Sequence, residues 1–195
     1  MNIGRPIEFD RAKALEQAQY LFWRKGYRDT SLCDLLRAMG LSKSSFYQAF
    51  NSKHDLFEQS IQLYLKERTT AMRAKLKASP SAFGFISDML CGIPENSSVM
   101  EYRAGCMVMN TACEFAQSDE VIAKAVHDSI TAFVKVFKEA VILGQQQGDI
   151  APDKDPDALA VFLVTNMGGL NVSFKAGADP AAIERTAKIA LSALK

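Results

Sequence analysis

Apolar residues recur at helical spacing along almost the whole chain, and no stretch alternates as a strand would. Ala12, Leu15, Ala18 and Phe22 share one face of a helix predicted over about Phe9–Lys25, which two basic residues and Gly26 bring to a stop. A second helix opens at Thr30 or Ser31, where Asp34, three residues after Ser31, completes a capping box. Leu32, Leu35, Leu36 and Met39 form its buried stripe and Gly40 ends it. A third helix runs from just after Ser42 to about Ala49. A fourth begins after Ser52, with Asp55 three residues later, and turns Phe57, Ile61, Tyr64 and Leu65 inward.

Ser79-Pro80 breaks the chain, and beyond it the helices change character. The pattern predicts a helix over about Ser81–Cys91, a loop at "GIPENSSVMEY", and a shorter helix over about Ala104–Ala116. A long helix follows, from the acidic start Ser118-Asp119-Glu120 to Gln147. Ile122, Val126, Ile130, Phe133, Phe137 and Ala140 lie along its inner face. Asp155-Pro156 and Asp179-Pro180 pair an N-cap with a proline at the first helical position and open the last two helices. The expected fold class is all-α with about nine helices. An N-terminal unit over residues 1–53 precedes a helical bundle over 54–195, and neither an internal repeat nor a low-complexity segment is present.

Residues 31–50 read as helix, glycine-centred turn, helix, which is the size and punctuation of a helix-turn-helix. Phe46 and Phe50 stand four residues apart and anchor one face of the third helix. Lys43, Ser44, Ser45, Tyr47 and Gln48 occupy its other faces. The first turn of a recognition helix is the part that reaches base edges, and small hydroxyls there permit close approach to the groove floor. Gln48 suits adenine, and Lys43 suits guanine or a phosphate. Tyr47 and Lys53 are placed to touch phosphates.

Charge agrees with this. The chain carries a net +1, but residues 1–53 hold nine Lys/Arg against five Asp/Glu, a net of +4, and the remainder is net −3. A basic unit on a mildly acidic body points to a polyanion partner for the first unit. A charged content of 23% is ordinary for a soluble protein, and the sequence suggests no apolar run near the roughly 20 residues of a membrane span. With no apolar core of a signal peptide at the N-terminus, the expected location is the cytoplasm, with no membrane partner. Cys33, Cys91, Cys106 and Cys113 form no CxxC pair and only His54 and His127 accompany them, so neither a zinc site nor another metal or cofactor is expected. A nucleophile motif and a glycine-rich phosphate loop are both missing, which argues against an enzyme.

The stretch "TSLCDLLRAMGLSKSSFYQAFNSKHDLF" resembles the N-terminal domain of TetR-family transcriptional regulators. Thr30, Gly40, Leu41, Ser42, Tyr47, Phe50 and Lys53 match that family's pattern, over about residues 8–60. Ser44 stands where the family commonly has Gly, and Ala49 where it has His. The resemblance implies a repressor that contacts a palindromic double-stranded operator through Thr30, Ser42, Lys43, Ser44, Ser45, Tyr47, Gln48 and Lys53. "GRP" at residues 4–6 resembles the basic arm that many members carry ahead of the first helix. The resemblance also implies a homodimer built on the last two helices, about residues 156–194, and a small-molecule effector bound in the second domain.

For that effector the sequence offers "YRAGCMVMNTACEFAQ", which resembles the Gly-Cys helix of one subgroup of the family. Cys106, Met109, Asn110 and Cys113 share one helical face, and Phe133, Phe137 and Met167 are candidates to line the same pocket. Asn110 on an apolar stripe needs a partner, whether backbone, water or ligand. Cys106, in the expected first turn, is either a responsive thiol or a small buried hydrophobe. Seven residues of helix separate it from Cys113 by about 10 Å, beyond disulfide reach. Gly168-Gly169 inside an apolar helix permits either close approach of a second helix or a kink over a pocket. An adaptor that dimerises without an effector remains the alternative: a fully packed second domain would favour it, and a cavity of several hundred Å³ with Asn110 facing inward would favour the effector-responsive regulator.

Overall fold

A computed structural model describes residues 9–95, 104–115 and 118–195, so the "GRP" arm and most of the loop after Cys91 lie outside the described residues. The elements are α1 (Arg11–Lys25), α2 (Leu32–Met39), α3 (Lys43–Phe50), α4 (Lys53–Ala78), α5 (Ala82–Glu95), α6 (Met107–Phe115), α7 (Glu120–Gln147), α8 (Pro156–Lys175) and α9 (Pro180–Ser192). Among the described residues there is no strand.

Local chemistry sets most boundaries. Asp10 accepts the amides of Ala12 and Lys13 and starts α1 two residues after Phe9. Ser31 and Asp34 form the reciprocal capping box of α2, and Gly40 ends it in the left-handed region at φ 65°. Ser42 and Ser52 cap α3 and α4 through the amides of Ser45 and Asp55. Asp119, Asp155 and Asp179 cap α7, α8 and α9.

Two boundaries differ from the sequence expectation. α5 continues beyond Cys91 to Glu95, because Ile93 still buries its side chain in the core. α6 begins at Met107 and not at Ala104, because Gly105 takes φ 69°, which interrupts a right-handed helix. Cys106 therefore precedes α6, and its carbonyl accepts the Asn110 amide at 2.9 Å.

α1–α3 pack against the first half of α4 over Ala14, Ala18, Phe22, Leu35, Phe46, Phe50, Leu56 and Phe57. The core runs on without a break into the bundle, where Phe85, Ile86, Phe137, Ala140 and Leu163 are fully buried. α8 corrects one expectation: at 20 residues it is long and apolar enough to cross a membrane, although only a third of its most apolar window is buried within the chain. It is apolar on two sides. Leu159, Leu163, Val164, Met167 and Leu170 face the core, whereas Val161, Phe162 and Val172 face outward. Its paired glycines also divide. A Cβ on Gly168 would lie 3.0 Å from Met109 Sδ of α6, whereas one on Gly169 would meet nothing within 4 Å and points away from the chain.

Asp119 joins the two parts of the fold. One oxygen accepts the Ile122 amide at 3.0 Å, and the other lies 2.7 Å from His54 Nε2 at the start of α4. The Ile122 amide, and then His54, hold its carboxyl below the usual range. Its stabilisation is therefore present at neutral pH and fades as pH falls through that lowered value, below about 4. Asp119→Ala should cost about 1–2 kcal/mol in urea unfolding at pH 7, the usual loss for an N-cap. The gap between variant and parent should narrow in the acid range, and an equal gap at all pH values would contradict the assignment.

Candidate nucleic-acid interface and effector cavity

α3 has two contrasting sides. Phe46 and Phe50 are fully buried, 6.0 Å apart between ring centroids. Arg11 of α1 secures the back, with its guanidinium 4.9 Å from the Phe50 ring and its Nε donating to Ala49 O at 3.4 Å. Ser42, Lys43, Ser44, Tyr47 and Gln48 are exposed, and Ser45 is half-buried. Ser42 Oγ lies 3.0 Å from Ser44 Oγ and 2.9 Å from Ser45 Oγ, so the hydroxyls form one cluster at the helix start. The side chains of Lys43 and Gln48 stand exposed on that face. The face offers an amide, an ammonium, a phenol and hydroxyls to a groove, with rigid aromatic support behind.

Two of the expected contact residues are placed otherwise. Thr30 is fully buried, and its hydroxyl donates to Gly26 O at 2.6 Å. Lys53 is half-buried, with Nζ donating to Tyr27 O at 2.7 Å and lying 4.1 Å from the Tyr27 ring centroid. Burial lowers its pKa, against the opposing field of Glu114. Both side chains brace the α1–α2 turn and neither stands on the open face of α3.

That turn is also held from the bundle. Glu114 of α6 accepts the amides of Tyr27 and Arg28 at 2.9 and 2.6 Å. The Tyr27 ring packs between Phe57 and Phe115, with centroids 4.9 and 5.2 Å away. Trp23 of α1 donates its indole N–H to Gly105 O at 2.7 Å. Sequence reasoning assigned no role at this turn to Trp23, Tyr27, Arg28 or Glu114. A lone tryptophan with one polar handle was the available signal.

A cavity of about 250 Å³ lies within the bundle, lined by Tyr64, Arg68, Met72, Met89, Ile93, Cys106, Phe133, Met167 and Asn171 among others. Tyr64 donates to Cys106 Sγ at 3.8 Å, and burial, then the thiol, raises the phenol pKa. The Arg68 guanidinium lies 5.2 Å from the ring centroids of both Trp23 and Tyr64. Of the expected effector residues, Cys106, Phe133 and Met167 reach this cavity. Phe137 does not, being fully buried against Phe85 at 6.1 Å. Met109 lies against Gly168, and Asn110 donates to Ala104 O at 2.7 Å, a structural bond. Asn110 and the exposed Cys113 instead line an open cleft of about 620 Å³ between α1, α6 and α8. Among the described residues no group of three His, Cys, Asp or Glu side chains could hold a metal ion.

Comparisons with known proteins agree with this geometry. The family profile described as "Bacterial regulatory proteins, tetR family" matches residues 14–59, and "Tetracyclin repressor-like, C-terminal domain" matches 95–190. The chain is 28% identical over 193 residues to the HTH-type transcriptional repressor ComR of Escherichia coli (strain K12), covering 98% of this chain and 90% of that protein. It is 26% identical over 166 residues to the transcriptional repressor DhaR of Mycobacterium sp. (strain GP1), covering 85% and 82%. It superposes with a TM-score of 0.84 and 31% identity on the TetR family transcriptional regulator CifR, a cysteine mutant solved with a 26-bp operator duplex, covering 98% of this chain and 100% of that one. With both profiles matched and the full-length likeness to an operator-bound regulator, the chain belongs to the TetR family of DNA-binding transcriptional regulators and is not an enzyme.

Proposed function

We propose that the chain is a cytoplasmic repressor that reads a palindromic operator through α3 of two copies and leaves it when a small molecule fills the bundle cavity. The observation that carries the reading is α3 itself, polar and exposed over Lys43, Ser44, Tyr47 and Gln48 and anchored by buried Phe46 and Phe50. A dimer sets two such helices into successive major grooves, with half-sites about 34–36 Å apart. The outward apolar side of α8, with Ile189 on α9 71% exposed, supports dimerisation through these two helices. The cavity supports an effector-responsive regulator over an adaptor, although Asn110, expected to face into it, bonds to Ala104 O and lines the open cleft instead. An engineered cavity of about 150 Å³ holds benzene, so about 250 Å³ suits a compact, largely apolar molecule such as one substituted ring. Tyr64, Arg68 and Asn171 contribute polar side chains to the cavity wall, Tyr64 donating to Cys106 Sγ and Asn171 to Met167 O.

The test is selection of binding sites from a random duplex pool at fixed, near-physiological salt. Enrichment of a palindrome with half-sites one turn apart is expected. Gln48→Ala should then lower operator affinity by about 1–3 kcal/mol, roughly 5- to 150-fold, and relax preference at one base pair. Bulk, salt-sensitive binding with no enriched sequence would defeat the reading of α3.

A further inference from the structure

Both carboxylate oxygens of Glu114 hold the turn between α1 and α2. Oε2 accepts the Tyr27 amide at 2.9 Å and Oε1 accepts the Arg28 amide at 2.6 Å. Arg28 Nη2 returns to Glu114 O at 3.1 Å. Gly26 takes φ 83°, and a Cβ there would lie 3.0 Å from Oε2. From the other side Lys53 donates to Tyr27 O. The Tyr27 residue is thus bonded through its N–H to α6 and through its carbonyl to α4.

α6 reaches the cavity as well. Its lead-in, Gly105 and Cys106, forms part of the cavity wall, and Gly105 O receives the Trp23 indole. Met109 on the same helix rests against Gly168 of α8. One short helix with its lead-in therefore touches the cavity wall, α8 and the reading head. Bonds from a carboxylate to backbone amides are charge-assisted, short and directional. Such a pair fixes an angle better than an apolar contact does.

We propose that Glu114 is a positioning residue for operator reading: its paired bonds to the amides of Tyr27 and Arg28 fix the orientation of the α1–α3 head on the bundle, and so the separation of the two α3 helices in the dimer. This rests on the repressor reading above.

The test uses the full-length dimer with a nitroxide on Cys33, the exposed native thiol of α2, after replacing the other three cysteines. Pulsed dipolar spectroscopy then reports the distance between the two heads. Glu114→Gln is the discriminating variant, since its amide nitrogen confronts one of the two N–H donors while keeping shape and size. A broadened or shifted distance distribution is expected for Glu114→Gln, and a broader one for Glu114→Ala. Operator affinity should fall about tenfold, while binding to a non-operator duplex at low salt stays unchanged. An unchanged distribution overturns the proposal, whether or not affinity falls. If the parent chain selects no sequence, the repressor reading fails, yet the distance distributions still decide whether Glu114 orients the head.

Discussion

Phe50→Ala should abolish sequence-specific DNA binding while leaving the α4–α9 body folded. α2 and α3 span eight residues each, too short to hold helical structure in water on their own. Their persistence depends on what they bury. Phe46 and Phe50 are the fully buried residues of α3, and Leu35 is that of α2. Phe50 also carries the Arg11 guanidinium that ties α1 to α3. A buried Phe→Ala change costs about 3–5 kcal/mol, comparable to the whole stability of a small domain. Because the loss is confined to the part of the core shared by α1–α3 and the start of α4, local opening of the head is expected before the bundle melts. Amide exchange should show α2 and α3 unprotected and α7 unchanged, and fluorescence anisotropy should show no operator preference. Phe50→Leu, which keeps most of the buried volume, should retain measurable specificity. Full operator affinity in Phe50→Ala would mean that the aromatic pair does not support the reading face.

The parts of the molecule that could be read directly from the chain are those determined within one helical turn. The caps at Ser31, Ser42, Ser52, Asp119, Asp155 and Asp179 each act on an amide two or three residues ahead, so spacing alone reveals them. The two-sidedness of α3 is likewise local. What escaped depends on contacts between distant segments. Lys53 belongs to the α1–α2 turn because Tyr27 O lies beside it in space. Phe133 reaches the cavity and Phe137, one turn later, does not, since the neighbour of Phe137 is Phe85 of α5. Glu114 carries no signature at all in "ACEFAQ", as its two partners lie 86 and 87 residues away. The boundary of α6 turned on the backbone conformation of Gly105, which composition does not specify.

The double substitution Val161→Glu with Val172→Glu should convert the dimer to a monomer and reduce operator affinity by at least about 100-fold, while the monomer remains folded. Val161, Thr165, Gly169 and Val172 follow one another along α8 at four-, four- and three-residue steps and share its outer side. Val161 is 52% and Val172 42% exposed, and Ile189 of α9 more so. Carboxylates at these two positions meet water in the isolated chain, so they should change monomer stability little. Set against a second copy they would be desolvated and would repel their counterparts, which is costly without a partner charge. The loss at the operator follows from linkage of the two heads. A dimer binds its second half-site at high effective concentration, which raises overall affinity by about 10²–10⁴ over one head alone. Gly169 sharpens the test. Within the chain its position is open, so Gly169→Ala should stabilise the monomer by up to about 1 kcal/mol through helix propensity. If the partner's helix approaches over that glycine, Gly169→Leu should weaken the dimer despite improving the helix. Sedimentation equilibrium separates monomer from dimer, and anisotropy on the selected operator reads the affinity. A doubly substituted chain that stays dimeric at micromolar concentration, with parental affinity, would move the interface away from the outer side of α8.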